Sequence, residues 1–268
     1  MKAKSKCIFC GAGNHLLIQK FTAPSERENT FGLNNYLRSL MKCKGCGLLF
    51  NDHNYNMAEI YRGLYREHSY DGDKMHERFL KIKSLPPKKS DNHWRVKRIQ
   101  KKFGVTKMSK KLLDIGSGIG IFPFCMSREG WDVTCIDPDK KNIEHIQSLG
   151  NIKGVCASVP DFESRRKYSL VTLNKVLEHL EDPIMALSST LQYLKTDGIV
   201  YIEVPDGESA LANGTDRQEL FLEHYYAFNV ASVDLLATNS GFRIIKIERA
   251  EEPSGKLSIF AFLEPRNR

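Results

Sequence analysis

Leu112-Leu113-Asp114-Ile115-Gly116-Ser117-Gly118-Ile119-Gly120 is a strand-like run leading into three glycines at alternate positions. Glycines in this arrangement turn the chain sharply, bring backbone amides against a ligand and let the following helix pack closely on the sheet. Further along, Val133-Thr134-Cys135-Ile136 gives a second strand, closed by Asp137, 21 residues after Gly116. A carboxylate at that point accepts hydrogen bonds from both hydroxyls of a ribose. The two features together predict a site for an adenosine-containing ligand. Dehydrogenases that bind dinucleotides use a related loop and acid, so the glycine turn alone does not decide between ligands.

The rest of the pattern narrows the choice. Leu170-Val171-Thr172-Leu173 and Ile199-Val200-Tyr201-Ile202 are further strands, with helical periodicity over 138–149 and 183–194. Strands alternating with helices predict a parallel, doubly wound sheet. The tail differs. Arg243-Ile244-Ile245-Lys246-Ile247 and Leu257-Ser258-Ile259-Phe260-Ala261-Phe262-Leu263 are separated only by a turn around Pro253-Ser254-Gly255. No crossover helix fits between them, so the last strand must run antiparallel to its neighbours. That reversal, with NKVLEHL after the fourth strand, argues against a dehydrogenase.

LLDIGSGIG, CIDPD, NKVLEHLEDP and GIVYIEVPD resemble the successive motifs of class I S-adenosylmethionine-dependent methyltransferases, over roughly residues 92–265. The resemblance implies an α/β, Rossmann-like, seven-stranded sheet with its last strand reversed, and S-adenosyl-L-methionine as cofactor. It implies that Asp114, Gly116, Gly118 and Gly120 form the cofactor turn, with the glycines around the methionine portion. Asp137 is then expected on the ribose, Asn174 and Lys175 near the amino acid end, and Ser158 near the adenine.

Composition and length fit this reading. The chain has 268 residues, 41% hydrophobic and 27% charged, as in ordinary globular proteins. That length suits one large α/β domain plus a smaller one. No apolar run reaches a membrane-spanning length, and no apolar stretch follows the basic start Met1-Lys2-Ala3-Lys4, so a cytoplasmic protein without a signal peptide is expected. Four of the seven cysteines form two C-x-x-C pairs, Cys7/Cys10 and Cys43/Cys46, each followed by glycine. Paired knuckles of this kind hold one zinc ion in a closed, structural, four-thiolate site. The 32 residues between them predict a long ribbon hairpin. Cys125, Cys135 and Cys156 read as small buried hydrophobes of the sheet domain. The expected organisation is a zinc ribbon over 1–55, a Tyr- and Lys-rich substrate-side segment over 56–91, and a methyltransferase domain over 92–268.

A ribbon ending in CKGCGLLF, a segment carrying Tyr55, Tyr61, Tyr65 and Tyr70, and then the core resemble the zinc-ribbon methyltransferases of sugar and natural-product biosynthesis, including deoxysugar C-methyltransferases. A sugar-like, nucleotide-linked small molecule is therefore the expected substrate. Those C-methyltransferases carry a further C-terminal domain where this chain ends, which favours oxygen or nitrogen over carbon as acceptor. The resemblance also implies active-site histidines at His179 and His224, with an acid at Glu223, while Phe221 stands where those enzymes have tyrosine. A general base is needed to deprotonate a hydroxyl or carbon acid, and histidine suits that task. His224 is the preferred base, His179 the other candidate, and Tyr225 and Tyr226 are expected in the pocket wall.

Residues 86–111 hold ten basic residues against one acid, Asp91, a charge of +9 that leaves the rest of the chain near neutral. Val96, Ile99 and Phe103 put an apolar stripe through them, which favours a packed helix with a solvated face. The alternative is a zinc-ribbon RNA methyltransferase gripping phosphates with this stretch. The stretch's few aromatics, Trp94 and Phe103, weigh against nucleic acid as partner.

Overall fold

The computed structural model describes residues 6–29, 31–33, 35–57, 72–104 and 109–266. Tyr61, Tyr65, Tyr70 and Lys107 lie outside the described residues. Seven strands form the main sheet: β4 (Lys111–Ile115), β5 (Asp132–Asp137), β6 (Lys153–Cys156), β7 (Tyr168–Asn174), β8 (Leu194–Pro205), β10 (Phe242–Glu251) and β11 (Leu257–Pro265). Their spatial order is β10-β11-β8-β7-β4-β5-β6. The five strands β4 to β8 are parallel, and β11 runs antiparallel to both β8 and β10, as the short turn at Pro253 requires. The short edge strand β6 has no apolar run to announce it in the sequence.

Besides α1 (Gly72–Lys83) and α6 (Gly207–Ala212), five helices among the described residues pack in two apolar layers that cover the sheet. On one face, α2 (Asp91–Phe103), α3 (Ile121–Arg128) and α4 (Lys140–Ser148) bury Val96, Ile99, Phe103, Phe122, Met126, Ile143 and Ile146 with Phe260 and Phe262. Helix α2 starts after Pro86-Pro87, where Ser90 caps it by accepting from His93 N–H. Its predicted stripe is buried, and Phe103 meets Trp131 edge to face at 5.1 Å. On the other face, α5 (Pro183–Ser189) and α7 (Val230–Asn239) pack with Leu173, Leu187, Val233 and Leu236. Proline at the first position of α5 and Asp182 as its cap fix that helix start. Among the described residues no helix is long and apolar enough to cross a membrane.

The N-terminal region is a hairpin, as expected, of β1 (His15–Phe21) and β2 (Arg38–Cys43), extended by β3 (Leu49–Asp52). A fourth strand, β9 (Tyr226–Ala227), pairs with β3 and comes from the loop after β8. The ribbon's Phe9 packs against Tyr226 and Phe228 at 5.6 and 5.8 Å, inside the α5/α7 core. The ribbon is thus sewn into the sheet domain. Tyr226 is 2% exposed in this seam, a core residue and not the pocket wall expected of it. Cys135 is buried and Cys125 half-buried, but Cys156 is exposed at the end of the edge strand β6, against expectation. An outer strand lacks the second neighbour that would cover it.

Candidate active site

The turn leaving β4 holds three left-handed glycines, Gly116 at φ 69°, Gly118 at 51° and Gly120 at 82°. A Cβ on Gly116 would lie 2.5 Å from Val176 Cγ2, and one on Gly120 2.7 Å from Ile146 Cγ1. Packing therefore demands glycine at both. A Cβ added at Gly118 would meet nothing within 4 Å among the described residues, which makes it the open side of the turn. Gly118 N–H donates to Asp137 Oδ2 at 2.8 Å, while Asp139 N–H and Asn142 Nδ2 donate to Oδ1 at 2.9 and 3.1 Å. Burial pushes the Asp137 pKa up, and these donors act against that push. Asp137 and the three glycines thus come together at one strand edge, as the sequence predicts.

The remaining cofactor candidates divide. Asp114 is 2% exposed, and burial raises its pKa to about 6. It accepts from Thr172 Oγ1 at 2.6 Å and Asn174 Nδ2 at 3.1 Å. Its carboxylate therefore orients Asn174, whose own Oδ1 is buried with no partner among the described residues. Lys175 departs from expectation at its ammonium. Its backbone is at φ 58°, and its Nζ donates to Ser258 Oγ on β11 at 2.7 Å. Burial lowers its pKa, with Glu203 and Glu178 as the nearby negative charges. An ammonium drawn across β8 in this way is not presented at the glycine turn. Ser158 follows β6 and donates to Asp161, holding its own loop.

The two histidines meet. His179 lies in the turn after β7 and His224 just before β9, with ring centroids 4.8 Å apart in an edge-to-face contact. His179 Nδ1 is 3.0 Å from the Glu223 carbonyl, and His224 Nδ1 is 3.0 Å from the Glu219 carbonyl. A carbonyl only accepts, so each Nδ1 carries the proton and each lone pair is on Nε2. Burial lowers both pKa values, His224 well below the ordinary 6.5, with His179 adding to its depression. His224 Nε2 is 3.8 Å from the Glu223 carboxylate. Glu178 is 1% exposed, its carboxyl pushed up by burial to about 7. Phe221 is buried.

What holds the histidine loop was not apparent in the sequence. Asn51, on β3, donates from Nδ2 to the carbonyls of Phe221 and His224 at 2.8 and 2.9 Å. Glu28 accepts the Leu222 N–H at 2.6 Å and pairs with Arg38, itself 1% exposed and bonded to Asn51 Oδ1 at 2.9 Å. These are ribbon residues acting on a loop about 170 positions away, a separation no local pattern signals. The four ribbon thiols also converge. Cys7 and Cys46 sulfurs are 3.7 Å apart, Cys10 and Cys43 3.5 Å, and all four lie within 4.8 Å of one another.

The basic stretch is partly structural. Arg95 forks onto Glu203 of β8 through Nε and Nη2, and Arg98 bonds Glu203 and Glu252. Lys97, Lys101 and Lys102 line an outer groove of about 620 Å³ with Trp94, Lys246 and Arg249.

The sequence model of a methyltransferase domain matches residues 87–247. The ubiquinone biosynthesis O-methyltransferase of Actinobacillus pleuropneumoniae serotype 5b is 30% identical over 103 residues, 34% of this chain and 44% of that protein. The chain thus spans less than half the length of the known relatives it matches. Among solved structures, the 1,6-didemethyltoxoflavin-N1-methyltransferase of Burkholderia thailandensis, with S-adenosylhomocysteine bound, superposes with a TM-score of 0.58 at 14% identity. That match covers 87% of this chain and 97% of the other. The magnesium protoporphyrin IX methyltransferase of Synechocystis, also with bound S-adenosylhomocysteine, gives 0.59 at 15% identity over 77% and 98%. At such identities the likeness is one of fold. With a family match over more than half its length and a seven-stranded sheet whose last strand is reversed, the chain belongs to the methyltransferase-domain family, the class of S-adenosylmethionine-dependent methyltransferases that its motifs resemble.

Proposed function

We propose that this chain moves a methyl group from S-adenosyl-L-methionine to a hydroxyl, amine or carbon of a sugar-like, nucleotide-linked small molecule, with His224 as general base. The observation that carries the reading is the imidazole pair, each ring locked by a backbone carbonyl with its lone pair on Nε2. Its His179 stands on the turn following β7, whose Val176 touches Gly116 of the cofactor turn. The residues fit the cofactor. Gly118 borders open space, Asp137 can take ribose hydroxyls, and the unpartnered Asn174 Oδ1 can accept from an ammonium. When bound, the sulfonium supplies an electrophilic methyl group. The protein's own task is to align the acceptor and, where it is a hydroxyl, take its proton. Small-molecule relatives and neighbours support the substrate class at its coarsest. The sugar rests on the ribbon resemblance and on the histidine pair.

Loss of Asp137 tests the cofactor site. Asp137→Ala is expected to weaken S-adenosylhomocysteine at least about tenfold in calorimetry, because hydrogen bonds to a charged group contribute about 1.5–3 kcal/mol each. Unchanged affinity would remove Asp137 from the site, and tight NAD binding would revive the dehydrogenase alternative. For the acceptor, nucleotide sugars should raise the melting temperature when S-adenosylhomocysteine is present. RNA that does so in their place would overturn the sugar reading.

The ribbon is proposed to hold one structural zinc ion. Four sulfurs about 2.3 Å from a tetrahedral ion are about 3.8 Å apart, close to the separations of the two thiol pairs. Four thiolates leave no open position for chemistry. Elemental analysis of protein purified without chelator is expected to give one zinc per chain, and Cys43→Ser protein none. Absence of stoichiometric zinc in the unaltered chain would refute the site.

A further inference from the structure

We infer that Glu178, His179 and His224 form a second cation site, one that takes a divalent transition ion by two imidazoles and one carboxylate. One ligand atom from each residue lies within 4.8 Å of the others. The carboxylate is the telling member. Glu178 is 1% exposed, yet its Oε2 has no hydrogen-bond partner among the described residues. A buried carboxyl oxygen left unsatisfied is costly, and a cation between it and two ring nitrogens would satisfy it. The histidines are oriented as metal ligands are. Each directs its Nδ1 proton to a backbone carbonyl, the outer contact that fixes tautomer and ring in metal-binding histidines. The donor set of two nitrogens and one oxygen selects borderline ions such as Co²⁺ and Zn²⁺ over Mg²⁺ and Ca²⁺. The ribbon, with four sulfurs, is a chemically distinct site.

An ion here takes the Nε2 lone pair that His224 uses as general base, so the ion-loaded form is the idle state and the ion-free form the proton-accepting state of one site. The site stands whichever acceptor is methylated, and its test does not depend on turnover. Protein with its ribbon filled with zinc is titrated with Co²⁺ and followed by visible absorption and calorimetry. The expected result is one saturable equivalent with cobalt d–d bands and no thiolate charge-transfer band, displaced by Zn²⁺ but not by Mg²⁺. Glu178→Gln and His224→Gln are each expected to weaken it at least tenfold while S-adenosylhomocysteine binding persists as the check on folding. Failure of the wild-type chain to bind Co²⁺ beyond the ribbon would overturn the inference, as would binding that survives both substitutions. A missing S-adenosylhomocysteine signal in the wild type would instead count against the cofactor reading and leave the cobalt result standing.

Discussion

Replacing His224 with glutamine is expected to lower the methylation rate about a hundred- to ten-thousand-fold, the usual contribution of a positioned general base. The loop should keep its shape, because Asn51 still donates to the backbone carbonyls of residues 221 and 224. Glutamine cannot accept a proton. Affinity for S-adenosylhomocysteine should be unchanged, since no cofactor candidate touches the ring. The pH profile gives the sharper reading, measured with chelator present. Burial holds His224 well below the ordinary 6.5, so its basic form persists into mildly acidic solution. The acid limb of kcat/KM should therefore fall below that value. A limb near 7 would assign the base to Glu178, whose carboxyl is raised to about that point. A glutamine variant with wild-type turnover would leave the pair a packing contact.

Removing Arg95 is expected to be the most destabilising single change on the helix face. Its guanidinium bonds Glu203 at 2.9 and 2.5 Å, with Glu203 fully buried and also accepting from Tyr201 at 3.0 Å. Breaking a buried pair from one side leaves an uncompensated charge and costs about 3–5 kcal/mol. Arg95→Met should show that loss in denaturant unfolding, whereas Arg95→Met with Glu203→Leu should recover much of it. Burial alone would raise Glu203, but Arg95 and its neighbours hold it at about 2. Its folded pKa thus lies below the ordinary 4.5, so the pair's stabilisation is complete above 4.5 and is lost as pH falls towards 2. Unaltered stability in Arg95→Met would make the pair energetically idle. The effect should reach the cofactor edge, because Lys175 N–H bonds the Glu203 carbonyl at 2.8 Å.

The strand-turn-strand signals around Gly116 and Asp137 were legible because they are local. So was the reversed last strand, through the length of one turn. Charge was read less well. The basic stretch looked like one solvated face, yet Arg95 and Arg98 point inward, to Glu203 and Glu252, more than a hundred positions on. Lys175 is a similar case: its motif position suggested the cofactor, while a buried ammonium follows the nearest carboxylates and hydroxyl. The histidines could be nominated from their place after strand ends. Their shared orientation could not, because the carbonyls and the Asn51 and Glu28 contacts that impose it are formed only when distant segments meet.

Those last contacts bear on how such a protein can be rebuilt. Asn51 and Glu28 belong to the first 55 residues, and the peptide they brace carries His224. Strand β9 stitches the same two pieces together by pairing. The N-terminal piece is therefore no detachable module to be traded between enzymes. A chimera that joins this core to a foreign ribbon would inherit an intact glycine turn and Asp137, and so a means of gripping its donor. It would also inherit an unbraced histidine loop. The two segments, remote in sequence, have to be exchanged together or not at all.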